Sequence, residues 1–326
     1  MEINRLKLLV VGVGSIGKRH AEVLYAALGC RDILLYDPVY SNAAAFAEKF
    51  PGMKCVESYE SGLKQKPDAV FITSPAAFHM KQTLQALENG CHVMVEKPLD
   101  ISFENVNAVK EKRNGKIVSV AFCMRKHTGL MRVKELAESG IIGKITSIRS
   151  VQADFIPDAR PDYLSTEYIR HTGAFEYVHA VDLALWIAGG QPKKISGVCG
   201  SYSGLGFEAP DHADVIFETD TGVACSVTMG VTHLPNEIFF NVYGREGAIM
   251  IEHAHTGYTL KIFTKHDRKW RTESRDDLYR NQMFEREDRE FLEDIISGVQ
   301  RGCSVEDAER SLKVYWDVYG AKERRQ

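Results

Sequence analysis

Three glycines, Gly12, Gly14 and Gly17, stand in G-x-G-x-x-G spacing, the pattern by which main chain rather than side chain meets a ligand. Each missing side chain has a use. One admits a tight turn, one lets the backbone approach a pyrophosphate, and one lets a helix pack closely on a strand. Ser15 and Ile16 then open a segment with helical apolar spacing at Ile16, Val23, Leu24 and Leu28. The free N–H groups and positive dipole end of such a helix favour an anion. Asp37 lies 20 residues beyond Gly17, at the end of the apolar run Ile33–Tyr36. A carboxylate there accepts hydrogen bonds from adenosine ribose hydroxyls and repels a 2′-phosphate. Pro38 and Val39 bring no cation to offset that repulsion, so the expected ligand is NAD rather than NADP.

Those residues need strands and helices to hold them. Leu8, Leu9, Val10, Val11 and Val13 form an apolar run of the kind found in a parallel strand buried on both faces. The alternation continues with a helix over 42–50, a short strand at 54–56, a strand at 69–72 and a helix over 78–89. A strand at 92–95 ends in Glu96-Lys97-Pro98, a helix over 102–112 takes Ser102 as N-cap, and a strand follows at 117–122. Repeated βα units predict a doubly wound parallel sheet whose ligands lie beyond the carboxyl ends of its strands. Gly12, Asp37, Thr73 and Lys97 all fall at such ends and are expected to line one crevice.

The pattern changes near residue 123. A helix over 130–139, a strand at 145–151, a polar, proline-containing loop at 154–165 and an apolar helix over 174–188 come first. From 195 to about 270 the chain alternates apolar and polar residues, with turn signals at Asp220-Thr221-Gly222 and Gly244-Arg245-Glu246-Gly247. This predicts antiparallel strands with one covered face. Closing helices are expected over 282–297 and 305–322. The expected fold class is therefore α/β: a Rossmann domain over 1–122, then an α+β domain over 123–326 with a large, mostly antiparallel open sheet. The second domain is expected to self-associate through strands at 223–229 and 237–243, whose apolar residues lack a cover.

Composition excludes several classes. With 326 residues, two domains are expected. A hydrophobic share of 44% supports a sizeable core, and a net charge of −3 gives no reason for a nucleic-acid or anionic-membrane partner. MEINRLK leads directly into a strand with no secretory h-region, and no apolar run is long enough to span a bilayer. Seven scattered cysteines without a C-x-x-C pair read as reduced thiols of a cytoplasmic protein.

The segments GVGSIGKRH, Asp37, TSPAAFH (73–79), GCHVMVEKPL (90–99) and SGIIGKI (139–145) together resemble the Gfo/Idh/MocA oxidoreductases, the relatives of glucose–fructose oxidoreductase and inositol dehydrogenase. The likeness runs over nearly the whole chain, and Glu96-Lys97-Pro98 is its most specific part. It implies NAD-linked oxidation or reduction of a secondary alcohol on a sugar, cyclitol or other polyol, a second domain that binds substrate, and a homodimer or homotetramer built through that domain's sheet. It implies cofactor contacts from Gly12, Gly14, Ser15, Ile16, Gly17, Asp37, Thr73, Ser74, Pro75, His79, Glu96 and Lys97. Lys97 takes the place of the family's catalytic lysine. Its ammonium suits that role, because it can stabilise charge developing on a substrate oxygen and lose its proton more readily beside a cationic ring.

His179 matches the family histidine, with Ala180-Val181-Asp182-Leu183 following. The partner carboxylate lies four residues before the histidine in some branches, where this chain has Phe175, and three before in others, where it has Glu176. Arg125 and His127 match an Arg-x-His pair near substrate, although Thr128 replaces the usual proline. Tyr163 and Arg170, with Arg160, Tyr168 and His171, are further candidates for holding a polyol. A solvated lysine and a core histidine are the plain alternatives for Lys97 and His179. Glu176, His179 and Asp182 are poorly spread for three metal ligands and lack a fourth, so no metal is expected. Two other functions stay open: glycoside hydrolysis through transient oxidation by bound NAD, and a non-catalytic dinucleotide sensor.

Overall fold

Leu8–Val11 forms β1, all four residues buried, with parallel neighbours on both sides: Leu8 is in register with Ile33 of β2 (Ile33–Tyr36) and with Ala69 of β4 (Ala69–Ile72). Adding β3 (Lys54–Cys55), β5 (His92–Glu96) and β6 (Val118–Ala121) gives a six-stranded parallel sheet in the order β3-β2-β1-β4-β5-β6. The chain therefore winds outward from β1 in one direction and returns past it in the other. A switch point lies between β1 and β4, where such sheets bind ligands. The crossovers carry α1 (Ser15–Glu22), α2 (Tyr40–Ala47), α3 (Tyr59–Leu63), α4 (His79–Glu88) and α5 (Val106–Lys112).

The computed structural model describes residues 2–156, 172–207 and 209–320, which fall into two units. One comprises residues up to Lys126 together with Asn281–Leu312, and the other His127–Arg280 together with the segment from Lys313. The second unit contains α6 (Thr128–Glu138), β7 (Ile145–Phe155), α7 (His179–Ala188) and the strands β8 (Pro192–Gly200), β9 (His212–Thr219), β10 (Ala224–Gly230), β11 (Thr232–Gly244), β12 (Gly247–Ala254), β13 (Gly257–Thr264) and β14 (Trp270–Arg275). Its eight-stranded sheet runs β14-β13-β12-β11-β7-β10-β9-β8 and is antiparallel except where β7 and β10 pair in parallel. Helices α6 and α7 pack on one face, α6 over β12 and β13, α7 over β7 and β10.

Alternation decides which residues that face buries. In β10 it takes Cys225, Val227 and Met229, and in β11 Phe240 and Val242. The apolar residues expected to lie uncovered are thus largely beneath helices. The open face is mixed: half-buried Phe239 and exposed Ile216 are interspersed with Arg149, Asp214, Glu252 and Lys261.

Two further expectations change. Helix α5 begins at Val106, not near residue 102: Asn105 adopts a left-handed conformation, φ 66°, and the Ser102 hydroxyl accepts the Glu104 N–H at 3.2 Å instead of capping the helix. The chain after residue 122 also does not stay together. Helix α8 (Gln282–Ser297) and most of α9 (Val305–Tyr315) belong to the first unit. Phe291 of α8 meets Phe71 of β4 edge to face at 5.4 Å, and buried Asp294 accepts the N–H groups of Arg301 and Gly302 at 2.7 and 3.0 Å in the turn before α9. Amphipathic spacing shows that a helix must bury a face, but does not say against which sheet.

Candidate active site

The glycines differ in what excludes a side chain. A Cβ on Gly17 would lie 1.9 Å from the Gly12 carbonyl oxygen and 2.6 Å from Thr73 Oγ1. One on Gly12, at φ +91°, would lie 2.9 Å from both Ser74 N and Thr73 O. The chain's own packing therefore requires both. Among the described residues Gly14 has no such neighbour within 4 Å. Its bareness serves none of them, and it stands exposed with Ser15 at the N-terminus of α1. A side-chain-free main chain beside an open helix N-terminus fits a pyrophosphate. Ile16, in the first turn, is half-buried.

The surrounding residues hold this cradle. Thr73 is buried, and its hydroxyl lies within hydrogen-bonding reach of the Val11 and Gly12 carbonyl oxygens, at 3.0 and 2.7 Å. Asp37 Oδ2 accepts the Val13 N–H at 2.7 Å, and Oδ1 accepts Val39 N–H at 2.9 Å and Asn42 Nδ2 at 3.2 Å. A carboxylate offers about four acceptor positions. Three such bonds leave capacity for a ribose hydroxyl while tying the carboxylate to the glycine turn. Pro75 precedes a single 3₁₀ turn, Ala76–Phe78, and the Ser74 hydroxyl meets Gln82 Oε1. His79 is buried with Nδ1 2.8 Å from the Pro98 carbonyl and Nε2 2.8 Å from that of Ser74. It braces the loop against the β5 end, and burial holds its pKa below the ordinary value.

At the end of β5, Glu96 faces inward. Its Oε2 accepts the Lys97 N–H at 3.0 Å, and its Oε1 lies 3.1 Å from His20 Nε2. Half-buried Lys97 follows β5, so Gly12, Thr73 and Lys97 come from the carboxyl ends of three consecutive strands of the sheet, β1, β4 and β5. Buried Arg125 lies 3.5 Å from Asp307 in the same unit.

In the second unit, His127 is buried, 3.0 Å from the Ala254 carbonyl, with its ring 5.3 Å from that of His253. The expected helix over 174–188 is two pieces, a 3₁₀ stretch Gly173–Tyr177 and then α7. The Ala174 N–H donates to the Pro210 carbonyl at 2.7 Å, and the Phe175 ring packs edge to face on Tyr315 at 4.3 Å. Phe175 is thus a packing residue, while Glu176 beside it is half-buried. His179, the first residue of α7, is 9% exposed. The three-residue interval matches one turn of the tight helix and keeps Glu176 and His179 on one side. Asp182 is buried deeper on α7. Among the described residues, no group of three or more His, Cys, Asp or Glu could hold a metal ion. Tyr163 and Arg170, with Arg160, Tyr168 and His171, lie outside the described residues.

Spacing alone did not single out three contributors: Asn42 on Asp37, Tyr177, whose hydroxyl donates to Asp154 at 2.8 Å, and His20. His20 lies within the quoted GVGSIGKRH, but nothing local marks it as buried.

A doubly wound sheet with a bare glycine turn at its switch point has the architecture of a dinucleotide-binding protein. Residues 6–122 match the family model described as an oxidoreductase family with an NAD-binding Rossmann fold, and residues 130–250 match the GFO/IDH/MocA C-terminal domain. The chain belongs to the GFO/IDH/MocA oxidoreductase family, and its cofactor is NAD.

It is 29% identical over 259 residues to scyllo-inositol 2-dehydrogenase (NAD(+)) of Bacillus subtilis strain 168, covering 76% of this chain and 74% of that one. It is 25% identical over 265 residues to 2,7-anhydro-N-acetylneuraminate hydratase of Mediterraneibacter gnavus, covering 78% and 69%. Levoglucosan dehydrogenase, solved with NADH and levoglucosan, shares the fold at a TM-score of 0.86 and 21% identity, with 98% of each chain covered. No helix among the described residues is long and apolar enough to cross a membrane.

Proposed function

We propose that this chain transfers a hydride between NAD and a secondary hydroxyl or ketone of a sugar, a sugar derivative or a cyclitol. The observation that carries this reading is the sequence of strand ends in the first unit: a bare Gly14 and an open helix N-terminus after β1, and a half-buried lysine after β5. The names of the relatives, a scyllo-inositol dehydrogenase and a levoglucosan dehydrogenase, support the substrate class.

When bound, NAD supplies the hydride-accepting ring. The chain would do the rest. Gly12, Gly14, Ser15, Ile16 and Gly17 seat the pyrophosphate, Asp37 takes the ribose, and Thr73 to Pro75 border the nucleotide. Lys97 hydrogen-bonds the reacting oxygen and stabilises the charge that forms there. His179 takes the hydroxyl proton, and Glu176 orients its imidazole. Tyr163 and Arg170 hold other hydroxyls of the substrate. Arg125 and His127, engaged by Asp307 and Ala254, shape its surroundings.

The test is NADH formation from NAD⁺ with myo-inositol, scyllo-inositol, levoglucosan and simple glucosides, repeated with Lys97→Met and His179→Asn. Each variant should lose about 10²–10⁴ in kcat while binding NADH within about threefold of wild type, since neither removes a phosphate contact. Near-normal turnover by Lys97→Met would remove the assignment, and no NADH from any of these polyols would remove the substrate class.

The hydratase among the relatives supports a second reading, in which transient oxidation and elimination leave the cofactor unchanged overall. Product formation without stoichiometric NADH would select it. For assembly, we infer a homodimer or homotetramer through the open sheet face. The cytoplasm, a reducing compartment, suits the seven free thiols.

A further inference from the structure

His20 is fully buried on α1, three residues past Gly17, with its ring 5.7 Å from that of Phe71 and 5.5 Å from that of Phe284. Among these apolar rings, both of its nitrogens end on carboxylates. Nδ1 is 2.8 Å from Asp288 Oδ1 on α8, and Nε2 is 3.1 Å from Glu96 Oε1 on β5. The other oxygen of Glu96 accepts the Lys97 N–H at 3.0 Å. Three elements of the first unit, α8, α1 and β5, are therefore joined in series through Asp288, His20, Glu96 and the backbone at Lys97.

With Asp288 and Glu96 both ionised, filling them from one ring takes two N–H donors, which only the imidazolium has. Burial alone would favour the neutral ring. Asp288, by charge and hydrogen bond, and then Glu96 outweigh it, so the His20 pKa lies well above the ordinary value. Glu287, Cys123, Arg19, Lys126 and Lys97 supply the remaining nearby charges and titrating groups. Burial pushes Glu287, Asp288 and the Cys123 thiol toward their neutral forms, and at Asp288 the charge and hydrogen bond of His20 work against it. A buried ionic triad is a poor device for stability, since apolar residues of similar volume often do as well or better. What it supplies is fixed direction, and the atom at its end is the backbone nitrogen of Lys97.

We propose that His20 is a positioning residue for Lys97. Braced by Asp288, it holds Glu96, and through Glu96 it fixes the main chain from which the lysine side chain leaves β5. The inference rests on Lys97 being the reactive lysine, but the tether can be measured at the Lys97 amide whatever the substrate proves to be.

The experiment is amide hydrogen exchange on the full chain, wild type against His20→Phe, which keeps a ring against Phe71 and Phe284 and removes both donors. The amides of Val10 and Val70 serve as controls within the same sheet. Loss of a charge-assisted hydrogen bond should speed exchange at Lys97 by about 10–100-fold, with Val10 and Val70 changed much less. NADH binding, followed by fluorescence, should stay within about threefold, and kcat with myo-inositol should fall while KM holds. Unchanged Lys97 exchange, or equal acceleration at all three amides, would overturn the proposal, because His20 would then be an ordinary core residue. Should His20→Phe fail to fold, ¹⁵N spectra of the wild-type histidines decide. Both His20 nitrogens should stay protonated from about pH 6 to about pH 8, and a neutral ring in that range overturns the proposal. If wild type oxidises no polyol, the substrate assignment fails, while exchange and ring titration still judge the tether.

Discussion

Asp37 does two things with one carboxylate. In the proposed site it would offer the acceptor that selects an unphosphorylated ribose, and it fastens the glycine turn through the Val13 N–H at 2.7 Å. Asp37→Ala should therefore weaken NAD by about tenfold or more and narrow the preference over NADP, and it should also cost about 1–3 kcal/mol of stability by orphaning that buried donor. Paired NAD and NADP titrations with a denaturant melt check both halves; unchanged stability would mean the Val13 bond is idle. His253 is a different case. Burial, helped by the neighbouring His127 and His255, lowers its pKa to about 3. The unfolded chain, with an ordinary histidine, binds more protons over the interval between the two values, so stability rises with pH there. It is present above about pH 6.5 and is lost as pH falls toward 3, at up to about 1.4 kcal/mol per pH unit. His253→Phe should lose less of its melting temperature between pH 7 and about pH 4.5 than wild type does. Equal losses would show that the acid sensitivity lies elsewhere.

Elements were legible wherever one residue pattern had one structural outcome. The strands β1 and β4, buried throughout, showed as unbroken apolar runs, β6 as a run broken only by Ser119, and β9 as alternation. Gly12 and Gly17 were legible because close backbone contact admits few residue types. The 3₁₀ beginning of the helix after Thr172 was not, because it depends on the bond from Ala174 to Pro210, 36 residues further on. Nor was the burial of Glu287, Asp288 and Asp294, which stand in a charge-rich stretch that looks like a solvated helix face. Such positions owe their burial to long-range pairing, which local periodicity does not encode. Asp294 gives the clearest case: it accepts two N–H groups of the turn into α9 and pairs with Arg301 Nε at 2.7 Å. Asp294→Ala leaves two backbone donors without an acceptor and should destabilise the chain by about 2–4 kcal/mol. An urea midpoint within error of wild type would contradict this.

For the whole molecule, the proposed association would use the open sheet face. Phe239 lies beside Val151, with the Arg149 guanidinium 5.4 Å from the Phe239 ring, and Ile216 is 58% exposed two strands away from β7. A mixed surface of this kind suits a self-complementary contact between two copies, with apolar residues at its centre and charges at its margin. Light scattering at micromolar concentration should give at least twice the chain mass, and Ile216→Asp with Phe239→Asp should bring it down to one; a monomeric wild type would remove the proposed interface. The division of the first unit between residues up to Lys126 and Asn281–Leu312 reaches further, into the order of synthesis. When Lys126 leaves the ribosome, β1 to β6 are complete but Phe71 has no Phe291 and His20 has no Asp288. At about 5–20 residues per second, roughly 8–30 s pass before residues 127–280 are made and α8 emerges. Over that interval the nascent nucleotide-binding sheet exposes an apolar surface, and its buried histidine faces Glu96 alone.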